Sequence, residues 1–179
     1  MLITIERKLD KFIDMLGNIL IVFLLLMILN VFYDVIMRYA FHDSSIAMQE
    51  MEWHLFAIVI LFGVSYSLKE DAHVRVDFIY DKLSVKTRAM INIIGTLLFL
   101  IPFTLLIIYG SYAFVMDSYT TNEVSSDPGG LKHLWMIKAM IPLSFTILLL
   151  EAFHYIIKNI NIYRGIEEMP KEDPQGALS

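Results

Sequence analysis

The sequence predicts an all-α integral membrane protein with four transmembrane helices and both termini in the cytoplasm. Three observations carry that reading. Hydrophobic residues make up 57% of the 179 residues and charged ones only 18%, too apolar a balance for a soluble domain of this size. Four stretches approach the roughly 20 apolar residues that a helix needs to cross a hydrocarbon core of about 30 Å. The fourteen Lys and Arg residues are also unevenly spread. Eleven lie before the first stretch, between the second and third, or after the fourth, leaving Arg38, Lys132 and Lys138 for the other side. Basic residues stay on the cytoplasmic side, so the loops near 38–51 and 117–134 are expected to face outward.

The first stretch, about 13–33, begins too far in and lacks a small-residue cleavage site. It reads as a retained signal anchor in a chain starting at Met1. Ahead of it, Leu2, Ile5, Leu9 and Phe12 recur at near-helical spacing among charged residues, as in an interfacial amphipathic helix or a cytoplasmic extension of the span. The second stretch is the shortest. It must recruit Met48 to Glu52 to run over about 48–68, which puts Glu50 and Glu52 at headgroup level. Beyond it, Val76, Ile79, Tyr80 and Leu83 form a second amphipathic stripe. The third, about 89–116, contains no Asp, Glu, Lys, Arg or His, and no soluble helix of that length lacks a polar face. The fourth runs over about 136–157. Pro102 and Pro142 are expected to bend the third and fourth helices. Residues 1–166 thus form one four-helix membrane domain, followed by a tail, 167–179, whose prolines and mixed charge predict disorder.

Several function classes drop out. A net charge of −5 argues against a nucleic-acid partner, which needs cations to neutralise phosphates. The absence of cysteine removes thiolate chemistry and Cys-ligated metals. With no Gly-rich phosphate loop, no paired metal-spaced histidines and no nucleophile elbow, no catalytic, cofactor-binding or metal-ligating residue is expected. Four spans without an internal repeat also lack the discontinuous helices from which secondary transporters build a midplane site.

Ionisable residues at membrane depth are costly and need an account. Glu151 and His154 share a helical face at i, i+3 and can pair, as a buried polar contact or as a proton or ion relay. Asp14 and Asp34, at the two ends of the first span, read as solvated at the interface. Asn18, Asn30 and Asn92 read as interhelical hydrogen-bond donors. Glu50, Trp53 and His54 fall on one side of a helix at its outer end, as an aromatic belt with an incidental ion pair or as a contact for a cation or external partner.

The run Gln49-Glu50-Met51-Glu52-Trp53-His54-Leu55-Phe56, then Gly63, then His73-Val74-Arg75-Val76-Asp77, resembles the small permease subunit of the tripartite ATP-independent periplasmic (TRAP) transporters. Glu123-Val124-Ser125-Ser126-Asp127-Pro128-Gly129-Gly130-Leu131, ahead of Lys138 and Ile141-Pro142, resembles it too. The likeness looks greatest to the branch labelled for mannitol or chloroaromatic transport. Where many relatives have Gly-Leu-Pro, this chain has Gly130-Leu131-Lys132, which bears on the local turn.

The resemblance implies a multi-pass protein of the bacterial inner membrane that is not an enzyme. It would scaffold a larger multi-span permease subunit for sodium-driven uptake of a small organic anion delivered by a periplasmic solute-binding protein. No cofactor is implied for this chain, the coupling Na⁺ being expected on the large subunit. Motif matches make Glu50, Trp53, His54, His73, Arg75 and Asp77 candidates for contacting the large subunit or membrane phospholipids. Arg38, Asp43, Glu123, Asp127 and Lys132 are candidates for the surface that docks the binding protein. The alternative is a self-assembling channel or proton-leak protein lined by Glu151 and His154.

Overall fold

The computed structural model describes residues 2–70 and 82–166, with side chains described from residue 9 onward. His73, Arg75, Asp77, most of the second amphipathic stripe and the tail 167–179 lie outside the described residues. Four helices are long and apolar enough to cross a membrane. They are α1 (Leu2–Ala40), α2 (Ile46–Lys69), α3 (Val85–Thr120) and α4 (Trp135–Tyr163). Each runs past its apolar stretch at both ends, because backbone hydrogen bonding continues into the polar flanks once a helix is under way. For α1 this makes the amphipathic segment before residue 13 an unbroken continuation of the first span.

Two backbone features interrupt regularity. Within α3 a π-helical turn covers Thr96–Leu100, and the Ile101 amide donates to the Thr96 carbonyl. This wider turn sits directly before Pro102, whose missing N–H and ring disfavour the ordinary ladder. In α4, Pro142 is accommodated inside the helix, and its carbonyl accepts a 2.7 Å bond from the Thr146 hydroxyl.

The helices pack in the spatial order α1, α2, α4, α3, and among the described residues α1 and α3 share no packed face. The result is an open layer and not a closed bundle. Its best-buried seam runs along α4, through Ser144, Leu148, Ala152 and Tyr155, with Leu68 of α2 packed against it. Thr96, Thr104, Ser111 and Ser118 form the facing stripe of small side chains on α3. Small residues at such seams let membrane helices approach closely where apolar burial offers no driving force against lipid. At Gly17 of α1 an added Cβ would meet the Tyr66 ring of α2 at 2.7 Å, so the α1–α2 contact depends on glycine there.

Outside the seams the layer is greasy. Leu25, Leu29 and Phe32 of α1 and Phe99, Leu106 and Tyr109 of α3 are exposed, Tyr109 at 88%. In a bilayer such surface faces lipid or another membrane chain.

Candidate functional site

The polar groups of this layer gather at its two ends, which are chemically unlike. At one end lies the connection between α3 and α4. It folds as a small hairpin with an isolated antiparallel bridge between Val124 and Lys132 and a 3.0 Å bond from the Ser125 amide to the Leu131 carbonyl. Its tip, Asp127-Pro128-Gly129-Gly130, is closed by a 3.0 Å bond from the Gly130 amide to the Asp127 carbonyl, with Gly129 at φ 87°. Proline followed by a positive-φ glycine is the type II turn pattern. Asn122 and His133, at φ 47° and 60°, bracket the hairpin in the left-handed region, where non-glycine residues are uncommon.

Glu50, in the first turns of α2, clasps this hairpin. One carboxylate oxygen accepts the Ser125 hydroxyl, and the other accepts the Leu131 amide at 2.5 Å. Gly130 lies so close that a Cβ would come within 2.7 Å of Glu50 Oε1. A second clasp joins Glu123 to Lys138 at the start of α4, and Lys138 also sits 4.1 Å above the Phe114 ring. The Lys138 ammonium holds the Glu123 carboxyl below its usual range. Tyr119 and Trp135 close the base edge to face, with ring centroids 5.3 Å apart. The hairpin is therefore preorganised, with Asp127 and Lys132 exposed on it.

The motif residues separate in this geometry. Glu50 turns to the hairpin, while Trp53, 71% exposed, lines an apolar crevice with Phe56, Ile137 and Ile141. His54 lies half-buried, near enough to Glu50 to interact with its charge. Arg38 pairs within its own helix with Asp34, and Asp43 is exposed in the α1–α2 turn. Asp34 departs from expectation. It is 3% exposed and not solvated, because Arg38 one turn later neutralises it. Asn30 donates at 2.9 Å to the Met48 carbonyl, tying α1 to the start of α2 as its interhelical reading requires.

At the opposite, basic end, α1, α2 and α4 meet. His154 Nδ1 lies 2.9 Å from Glu151 Oε1, each residue 1% exposed, and His154 Nε2 lies 3.5 Å from Asp10 of α1. Lys69 at the end of α2 pairs with Asp14, and Asn92 of α3 donates at 2.9 Å to Asn159 of α4. Toward the middle of the membrane the next buried positions on α4 are Leu148 and Ser144, the latter bonded to the Ile141 carbonyl. The Glu151–His154 pair thus joins helices at one end, and no polar path leads inward from it among the described residues. The i, i+3 spacing announced the pair, but nothing in the sequence announced Asp10 or Lys69 as partners from distant helices. Among the described residues no group of three or more His, Cys, Asp or Glu could hold a metal ion.

The sequence model of the family described as tripartite ATP-independent periplasmic transporters, DctQ component, matches residues 27–164. The ectoine TRAP transporter small permease protein TeaB of Halomonas elongata is 29% identical over 158 residues, which is 88% of this chain and 77% of that protein. The C4-dicarboxylate TRAP transporter small permease protein DctQ of Vibrio cholerae is 29% identical over 106 residues, covering 59% of this chain and 45% of that protein. The sialic acid TRAP transporter permease protein SiaT of Haemophilus influenzae is 26% identical over 138 residues, covering 76% of this chain but 21% of that protein.

Proposed function

The chain belongs to the DctQ-component family of the tripartite ATP-independent periplasmic transporters, and from that premise we propose that it scaffolds a separate large permease subunit in the bacterial inner membrane. The complex takes up a small organic anion, driven by sodium, and a periplasmic solute-binding protein delivers the solute. The observation that carries this reading is the open helix layer. Its outer surfaces are largely apolar, and among the described residues no Asp, Glu, Lys, Arg or His side chain lies between the polar clusters of its two ends, as suits a chain that covers another membrane protein and conducts nothing itself. The match to about a fifth of one longer permease supports a part that works within a larger whole.

The lopsided Lys and Arg distribution supports an orientation with both termini and the Glu151–His154 end in the cytoplasm, and the hairpin in the periplasm. There the preorganised hairpin, with Glu123, Asp127 and Lys132, and the turn carrying Arg38 and Asp43 form part of the docking surface for the binding protein. Glu50 holds that surface in shape. Trp53 and His54 contact the large subunit or lipid, as do His73, Arg75 and Asp77 of the cytoplasmic connection. The relatives named for ectoine, C4-dicarboxylates and sialic acid all have solutes that bear a carboxylate, which supports an organic acid. The coupling Na⁺ and the solute bind on the large subunit.

The test is reconstitution. This chain alone in liposomes is expected to pass neither ions nor solute, and uptake should appear only with the large subunit and binding protein present. Ion flux from the chain alone, lost on His154→Ala, would instead support the channel reading.

A further inference from the structure

A lateral cavity of about 640 Å³ lies among α2, α3 and α4 near the basic end, within the range of about 300–1,000 Å³ typical of small-molecule pockets. Its walls are mostly apolar, with Leu68, Ile91, Phe99 and Phe103 among them and Asn92 and Tyr155 toward the basic end. The π-helical turn of α3, Thr96–Leu100, forms one side. Gly95 opens onto it, and a Cβ there would find no atom within 4 Å.

Just beyond the cavity the ends of α3 and α4 are cationic, while α2 ends in Lys69 and Glu70, which pair at 3.8 Å. Residues 82–95 and 155–166 contain Lys82, Lys86, Arg88, Lys158 and Arg164 and no Asp or Glu. Arg88 precedes Asn92 by four residues and Gly95 by seven, so it shares the cavity's face of α3 one turn nearer the end. Lys158 follows Tyr155 by three on α4. Lys86, on the same turn of α3 as Arg88, lies 6.0 Å from the Tyr163 ring. Arg88 Nε donates to the Leu83 carbonyl at 3.1 Å, which anchors the guanidinium at the end of α3 while its terminal nitrogens can still donate to an anion. An open apolar slot inside a membrane, with cations of two helices at positions one turn beyond its basic end, is complementary to a molecule with an anionic head and a hydrocarbon tail.

We propose that this cavity is a binding site for one anionic glycerophospholipid, with an acyl chain between α3 and α4 and the phosphate held by Arg88 and Lys158. The lipid fills the gap that the π turn opens and fixes α3 against α4 beside the Asn92–Asn159 bond. The site requires only that the chain spans a bilayer and stands apart from the scaffold role. A helix of a partner protein seated in the slot is the competing occupant.

The probe is native mass spectrometry of the purified full chain, titrated with phosphatidylglycerol or phosphatidylcholine of identical acyl chains. One phosphatidylglycerol should bind in preference to phosphatidylcholine. Gly95→Phe, which the open space accommodates, should abolish that adduct. The pair Arg88→Gln and Lys158→Gln, both half-buried positions near the helix ends, should weaken phosphatidylglycerol about 25-fold, as two factors of about fivefold, and leave phosphatidylcholine unchanged. Helical circular dichroism checks that each variant is folded, and Gly95→Leu serves in place of any Gly95→Phe protein that is not. Equal binding of the two lipids, or full adduct in the folded Gly95 variants, would overturn the proposal. So would loss of the lipid when a co-purified large subunit is bound, which would give the slot to that partner.

Discussion

Replacing His154 by alanine removes the sole hydrogen-bonding side chain that Glu151 has among the described residues. The two groups lie 2.9 Å apart and each is 1% exposed, while the second Glu151 oxygen already has no hydrogen-bond partner. Alanine leaves the buried carboxylate without the imidazole partner of its first oxygen as well. Breaking a buried polar pair by deleting one member costs about 3–5 kcal/mol, whereas replacing both members by apolar side chains of similar size is often neutral or stabilising. His154→Ala is therefore expected to lose about 3–5 kcal/mol. The double replacement Glu151→Leu and His154→Leu should stay within about 1 kcal/mol of the parent or exceed it. Asp10, on the far side of His154 and 37% exposed in its side chain, can return to water, so Asp10→Asn should cost under about 1 kcal/mol. Equilibrium unfolding in lipid nanodiscs, followed by helical circular dichroism, measures all three. If the double variant were as damaged as His154→Ala, the pair would be needed for more than mutual satisfaction, and its reading as a helix-joining contact would fail.

Other predictions concern the hairpin end and the helix seams. Glu50→Gln should leave the helices folded but raise amide hydrogen exchange at Leu131 about tenfold or more, since a charged acceptor is replaced by a weaker one; unchanged protection would show the clasp to be incidental. Because Lys138 depresses the Glu123 pKa, its clasp should be fully present above the ordinary value of 4.5 and lost only as pH falls through the lowered one. Hydrogen exchange across 123–134 as a function of pH checks this, and opening above 4.5 would contradict it. Gly17→Ala should cost about 1 kcal/mol through the Tyr66 ring, the low end for overpacking because that ring is partly exposed and can yield, and Tyr66→Val should recover most of it. Asn92→Leu should cost about 0.6 kcal/mol in nanodisc unfolding and no more than about 1.7; a larger loss would mean that Asn159 has no alternative partner.

The membrane fold was legible because hydrophobic length is a one-dimensional signal. A segment such as 89–116 without any charge has few other uses. Local pairs were legible for a similar reason, since i, i+3 geometry brings Glu151 to His154 whatever the tertiary structure. The spatial order of the helices was not, because apolar faces in lipid carry no periodic instruction about neighbours. The small residues that set the α3–α4 seam, Thr104, Ser111 and Ser118, look like scattered polar residues until the seam is seen. Glu50 read as one of three residues on a helix side. Its partners Ser125 and Leu131 stand far along the chain, and one of them is a backbone amide that no side-chain motif encodes. Asp34 misled for a simple reason: position at a helix end predicts solvation, and an ion pair one turn away overrides it.

A chain that works as the scaffold of a larger permease must stay bound to it, so the mass of the extracted assembly is decisive. The chain should be tagged, co-expressed with the genes that flank its own, extracted gently and weighed by native mass spectrometry. The expected result is a one-to-one assembly with a large multi-span protein. A homo-oligomer of this chain, with no such partner in the preparation, would contradict it.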